Sequence, residues 1–247
     1  MSRHVMGRNA VIELLQSKEN VDSIYILFGA KGFRLDKIRS LAKKRSIPIR
    51  EASKQKFREM VGDETTQCVI AQVGEKEYVQ VEQFIKIAKS RNENPFIVVC
   101  DEVEDPHNLG AITRTAEACG VHGIVIPKHR SVQVNNTVTK VSAGATEFLQ
   151  FTRVTNTGTA IDELKKLGIW IIGTDVKTQK LYTDTEVDYK RPIAIVVGNE
   201  GKGLRRLIRE KCDTLVKIPM FGQVPSLNVS VATSLLLYEV VRTRENF

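Results

Sequence analysis

The chain is poor in the residues that would mark a disulfide scaffold, a metal centre or a membrane anchor. Its four cysteines, Cys68, Cys100, Cys119 and Cys212, are scattered over 247 residues without a CxxC pair. That usage excludes a disulfide framework and a zinc site of the usual spacing, and suits a reducing compartment. Cys100 and Cys119 lie in apolar stretches and read as small buried hydrophobes. The four histidines, His4, His107, His122 and His129, form no HExxH-type cluster, so no metal is expected. No apolar run is long enough to cross a bilayer, and the opening MSRHVMGRNAVIELLQ lacks the apolar centre of a secretory signal. A soluble cytoplasmic protein with no membrane partner is expected. Two phosphate-binding glycine signatures, GxxxxGK[ST] and GxGxxG, are also missing, and no internal repeat or low-complexity segment is seen.

What is present is a chain of 42% hydrophobic residues, long enough for one large domain or two of ordinary size. The formal net charge is +8, which suits a polyanionic partner through phosphate neutralisation. Much of the excess falls between Lys31 and Arg58. Composition alone leaves that run level between a solvated helical face and a nucleic-acid surface.

Hydrophobic periodicity predicts a small α/β unit first. Helices are expected at about Gly7–Gln16, Leu35–Arg45 and Gln55–Met60, and strands at Ser23–Phe28 and Gln67–Val73, with a short extended piece at Pro48–Ile49. This gives a first domain over residues 1–75. A polar linker at 76–93, carrying the stripe Val81, Phe84, Ile85 and Ala88, leads into a second domain over 94–247. There, short β-branched runs alternate with helical patterns. The runs are Phe96–Cys100, Gly123–Ile126, Ile169–Ile172, Ile193–Val197 and Leu215–Ile218; the helices are Leu109–Cys119, Asn136–Ala143, Ala160–Leu167, Leu204–Glu210 and Val229–Arg242. Such alternation predicts an α/β domain with a buried parallel sheet.

In sheets of this kind ligands bind beyond the carboxyl ends of the strands, and three of the loops expected there are unusual. After FIVVC comes DEVEDPHNLGAITRTAEACG. Its stripe of Leu109, Ile112 and Ala116 leaves Arg114 pointing elsewhere, and spacing alone leans towards a solvated arginine over one aimed at a phosphate or oxyanion. After IAIVV comes GNEGKGL, whose Glu200 suits a cation or hydroxyl groups better than a phosphate. After LVKI comes an apolar, proline-stiffened loop with Met220, Phe221, Val224 and Leu227, which ends on the potential helix caps Ser226 and Asn228. Together the loops offer Asn108, Arg114, Asn199, Glu200, Ser226 and Asn228, with no histidine base, cysteine nucleophile or metal set. That inventory disfavours hydrolysis and fits group transfer from an activated donor.

NLGAITRTA (108–116), IVVGNEGKGL (195–204) and IPMFGQVPSLNVSVATSLLLYEVVR (218–242), in this order, resemble the three motifs of the SpoU-type RNA ribose 2′-O-methyltransferases of the SPOUT superfamily. The resemblance covers the second domain, and the first domain is similar to the ribosomal-protein-like RNA-binding module of the branch that methylates a guanosine of 23S rRNA. It implies a parallel-sheet domain whose C-terminal chain forms a deep trefoil knot. It also implies S-adenosylmethionine as donor with no metal, RNA (most readily rRNA) as partner, and a homodimer through the catalytic domain that includes the last helix. The implied catalytic positions are Asn108, Arg114, Glu200, Ser226 and Asn228. The implied donor-binding positions are Gly198, Asn199, Ile218, Met220 and Leu227. Two alternatives stay open: a tRNA ribose methyltransferase, and a catalytically silent RNA-binding or resistance protein on the same fold.

Overall fold

The computed structural model describes residues 3–17, 21–73 and 76–245, with only the backbone of Arg3. In chain order, β1 (Arg3–Met6), α1 (Arg8–Gln16), β2 (Val21–Leu27), α2 (Phe33–Lys44), β3 (Ile49–Ala52), α3 (Lys54–Val61) and β4 (Val69–Val73) come first. There follow α4 (Glu82–Ser90), β5 (Phe96–Cys100), α5 (Pro106–Ala118), β6 (Gly123–Pro127), α6 (Asn136–Val141) and a 3-10 turn at Ala145–Glu147. The chain ends with β7 (Phe151–Val154), α7 (Thr157–Lys166), β8 (Trp170–Thr174), β9 (Ile193–Val197), α8 (Arg206–Lys211), β10 (Thr214–Val216) and α9 (Val229–Glu245). Two compact units result: Met1–Glu77 with Val134–Phe148, and Tyr78–Gln133 with Leu149–Phe247.

This division departs from the expected one; the expected boundary at residue 75 itself lies outside the described residues. Residues 78–93, expected as linker, belong to the second unit. Phe84 of α4 is fully buried, and a Cβ on Gly123 of β6 would stand inside its ring. Residues 134–148, expected in the catalytic domain, belong to the first unit. The His4 N–H on β1 donates to the Asn136 side chain at 3.1 Å, and Gly144, at φ +92°, passes so close to α1 that a Cβ would press on Ala10 and Glu13. A helix following β6 looks the same in sequence whichever sheet it returns to.

The first unit is a four-stranded sheet in the order β1-β4-β2-β3, with β2 and β3 parallel and the other pairs antiparallel. Alternation along β2 divides its two faces. Ile24 and Ile26 pack with Leu14 of α1 and with Leu35 and Ile38 of α2. Tyr25 and Leu27 pack with Phe57 of α3. Arg45 closes α1: its Nη1 donates to the carbonyls of Leu14, Leu15 and Ser17 at 3.0–3.2 Å. These are the acceptors that a helix end leaves unpaired, and a cation suits that end.

The second unit is a six-stranded sheet, β10-β8-β9-β5-β6-β7, parallel throughout. Strands β5, β6 and β9 are buried at every position, which is why they read as unbroken apolar runs. One face packs Phe84 of α4, Ile161 and Leu164 of α7 and Ile208 of α8 over Ile97, Val99 and Val196. Elsewhere α9 packs on α5 and on β9. Strands β5 and β9 are neighbours, but the chain leaves β5 towards β6 and leaves β9 towards β10. The loops therefore diverge at that point, and a crevice opens at the carboxyl ends of the two strands.

His122, which precedes β6, sets a pH limit on this unit. Its side chain is almost fully buried. The Phe96 N–H donates to Nδ1 at 3.0 Å, so the ring proton sits on Nε2 and is donated to the Glu93 carboxylate at 2.9 Å. Burial pushes the imidazole pKa below its ordinary 6.5, against an opposing pull from Glu93. The folded state therefore binds a proton less readily than the unfolded state. This contribution is complete above about pH 6.5 and is lost as pH falls below it. Thermal melts from pH 7.5 to 5 are expected to show a falling midpoint, with a shallower fall in His122→Asn, which keeps an acceptor for Phe96 but does not titrate. Equal slopes would contradict this account.

Candidate active site

Helix α5 begins at Pro106, three residues before the expected start at Leu109. Asp105 is its N-cap, accepting from the His107 N–H at 2.9 Å, and Pro106 sits at the first helical position, where a missing N–H costs nothing. The earlier start places Asn108 in the first turn, where it is only 6% exposed. Asn108 Nδ2 donates to the carboxylates of Glu200 and Asp105, and its Oδ1 accepts from Asn228 Nδ2 at 2.9 Å. Asn228 in turn caps α9: its Oδ1 accepts from the N–H groups of Ser230 at 2.9 Å and Val231 at 3.4 Å. Residues from three distant stretches of the sequence are thus joined in one chain, Asn228–Asn108–Glu200.

The loop after β9 is folded tightly on itself. Asn199 and Gly203 exchange backbone hydrogen bonds at 3.1 and 2.8 Å, and Gly203 takes φ +68°. A Cβ on Gly198 would fall inside the backbone of Gly203 and Leu204, so no other residue fits there without moving the loop. Asn199 Nδ2 donates to the Glu102 carbonyl at 3.2 Å, which ties this loop to the one after β5. A second tie is ionic. Asp101 is fully buried at the end of β5 and takes both Nε and Nη2 of Arg205, with Nε at 3.1 Å from each oxygen. The carboxylate raises the guanidinium pKa further.

The chain leaves β10 at Val216, earlier than the expected Ile218, because the next residue changes partner. The Lys217 N–H donates to the Lys180 carbonyl at 2.9 Å, and the Tyr182 N–H donates to Lys217 at 3.0 Å. The chain beyond Lys217, the loop after β9 and the end of β8 enclose a cavity of about 410 Å³, within the size range of small-molecule sites. Gly198, Asn199, Glu200, Ile218, Met220, Ser226 and Leu227 all line it. Asn108 is outside the lining but reaches its rim through its bond to Glu200, and Asn228, also outside, is joined to it through Asn108.

Arg114 is exposed on α5 and does not line the cavity. Its neighbour Thr115 meets Ser234 of α9 at 3.1 Å between hydroxyl oxygens. Residues not foreseen also take part. Asp175, at the end of β8, lines the cavity and pairs with Arg209 at 3.2 Å. The signal that would have found it is the general rule that strand ends in a parallel sheet carry ligands, applied to β8 as well. Nothing local marks Asp101 and Arg205 as partners. Among the described residues, no group of three or more His, Cys, Asp or Glu side chains is placed to hold a metal ion.

Comparison with known proteins agrees with this geometry. The SpoU rRNA Methylase family matches residues 95–238, and the RNA 2′-O ribose methyltransferase substrate binding family matches residues 4–79. The chain belongs to the SpoU/TrmH family of RNA methyltransferases. YacO of Bacillus subtilis (strain 168), named for the TrmH family of tRNA/rRNA methyltransferases, is 45% identical to this SpoU-family chain over 241 residues, 98% of this chain and 96% of its own. Among solved structures, the SpoU methyltransferase AviRb from Streptomyces viridochromogenes in complex with AdoMet superposes with a TM-score of 0.83 over 100% of this chain and 92% of its own, at 24% identity. The A. aeolicus TrmH/SpoU tRNA modifying enzyme shares 33% identity over 67% of this chain and 85% of its own, with a TM-score of 0.57.

Proposed function

We propose that this chain transfers the methyl group of S-adenosylmethionine to a ribose 2′-hydroxyl of RNA, with a guanosine of 23S rRNA as first candidate. The observation that carries the reading is the Asn228–Asn108–Glu200 chain at the rim of a cavity lined by Gly198, Ile218 and Leu227. The cavity fits the donor in kind: Ile218, Met220 and Leu227 give an apolar wall for a purine, Gly198 lets the loop behind it fold tightly on itself, and the Asp175 and Glu200 carboxylates suit ribose hydroxyls or a cationic centre. The bound donor supplies an activated methyl group. The protein then has to align the hydroxyl oxygen and favour loss of its proton.

In this reading Asn108 holds Glu200 and Asn228 in fixed orientation, and Ser226 reaches the ribose from the cavity wall. Arg114, which stays protonated in proteins, stabilises the oxygen as it becomes negative and grips an adjacent phosphate. The knot is part of the proposal; the pairing of Lys217 with Lys180 and Tyr182 supports a chain passing closely beside an earlier segment. So is the homodimer. Val231, Leu235 and Tyr238, at i, i+4 and i+7 on α9, are 48%, 38% and 52% exposed, an apolar stripe suited to a second copy. The tRNA alternative draws on the 33% identity to the tRNA modifying enzyme. The first unit, matched by a substrate-binding family, supports a larger RNA.

Two measurements test the reading. Calorimetry should show S-adenosylmethionine binding without added metal, and ribose-methylation mapping of RNA from cells with and without the gene should show one lost 2′-O-methyl group. Absence of donor binding would leave the silent RNA-binding protein as the better account. A lost methyl group in tRNA would replace the rRNA target.

A further inference from the structure

The first unit leaves an aromatic side chain in water at each end of the β2–α2 connection. Phe28, the first residue beyond β2, is 63% exposed, and Phe33, the first of α2, is 84% exposed. Neither belongs to the cores that hold this unit together. Cations lie near Phe33 in the chain and near the adjoining Gly32 in space. Lys31 and Arg34 flank Phe33 in sequence and are exposed, and Lys37 follows it by one helical turn on the same face. Arg8 comes from another element: its Nε donates to the Gln67 carbonyl at 3.1 Å, and its Nη1 lies 3.5 Å from where a Cβ on Gly32 would stand. Asp36 is the acidic residue in the same stretch, so the local balance is strongly positive.

We propose that Phe28 and Phe33 form a stacking platform for unpaired bases of an RNA, with Arg8, Lys31, Arg34 and Lys37 gripping the flanking phosphates. The inference rests on the reading of the protein as an RNA-modifying enzyme and says where, and in which state, the RNA is held. Exposed rings beside cations match a nucleotide strand in both its parts. Base faces stack on aromatic rings whatever the sequence, and phosphates answer the charge. In a duplex those faces are covered by neighbouring pairs, so the platform selects single-stranded loops or bulges.

The test uses the full-length protein and a short fluorescein-labelled RNA, single-stranded or annealed to its complement. Phe33→Ala and Phe33→Leu are expected to weaken single-strand binding about 10-fold, with Phe33→Trp near wild type, as the worth of one base–aromatic stack requires. Duplex binding should change by less than about twofold. The slope of log K against log salt should stay at its wild-type value in Phe33→Ala, since no charge is lost, and flatten in a Lys31→Ala, Lys37→Ala double variant. An exposed side chain removed in this way should leave the thermal midpoint in place. Unchanged single-strand binding in Phe33→Ala, with binding weakened in the lysine variant, overturns the stacking platform and leaves the RNA-binding unit standing. Loss in Phe33→Trp equal to that in Phe33→Ala also overturns it. Sedimentation that shows the wild type self-associating and Phe33→Ala monomeric overturns it in favour of a protein contact. Should the wild type bind neither RNA, the RNA reading of the unit fails with it.

Discussion

Under the proposed role, replacing Arg114 by alanine is expected to lower methyl-transfer turnover by about 10²- to 10³-fold, the usual cost of removing one preorganised donor from a developing oxyanion. Donor affinity should stay within about twofold of wild type, because Arg114 is exposed on α5 and does not touch the cavity. Arg114→Lys separates charge from shape. If the planar guanidinium fork is needed to serve alkoxide and phosphate together, lysine recovers little; near-wild-type turnover in that variant would sink the fork-dependent role. The position of Arg114 adds a second expectation. Thr115, beside it, touches Ser234 of α9, which immediately precedes Leu235 of the exposed apolar stripe. A second copy docked on that stripe would bring each Arg114 to the edge of the other copy. Mixing Arg114→Ala subunits with Glu200→Ala subunits, each inactive alone, should then restore about a quarter of wild-type activity in a randomly assorted two-fold dimer. No restoration would mean that the arginine serves its own cavity.

What could be read in advance follows the range of the forces involved. The apolar runs of β5, β6 and β9 were legible because strands buried on both faces carry no polar residue to blur them. Strand β1 was not, since its four residues gain their meaning from pairing with β4; β7, equally short, finds its partner in β6. The start of α5 lies ahead of its apolar stripe because Asp105 and Pro106, and not the stripe, set the helix cap. The return of 134–148 to the first unit depends on Asn136 meeting His4 and Gly144 meeting α1. Within the site, the family motifs point to Gly198, Ile218, Met220 and Leu227, and these line one cavity. The Asn228–Asn108–Glu200 bonds were beyond reach, since they join residues 92 and 120 positions apart.

Arg205→Ala is expected to destabilise the protein by about 2–3 kcal/mol, somewhat less than the ~3–5 kcal/mol that follows when a fully buried ion pair loses one partner. The reason lies in the asymmetry of the pair: the Asp101 side chain is fully buried, while that of Arg205 is 44% exposed and keeps part of its hydration. Removing the arginine side chain leaves, among the described residues, a carboxylate in the sheet's end with the backbone N–H of residue 205, at 3.5 Å, directed towards it. Removing the carboxylate charge should therefore relieve most of the defect. Urea unfolding of Asp101→Asn in the Arg205→Ala background should recover at least half of the lost stability, and a strictly additive double variant would show that the two side chains do not act as a pair. The same tie should matter to the site. Arg205 anchors the far end of the loop that begins at Gly198, and the near end is held by Asn199 to Glu102. With one anchor gone, the turn that carries Glu200 to Asn108 is free to shift, so donor affinity should weaken in Arg205→Ala even at temperatures where the protein is fully folded. Unaltered donor affinity in a folded Arg205→Ala sample would confine the pair to a stabilising role and leave the alignment of the loop to Gly198 and Asn199.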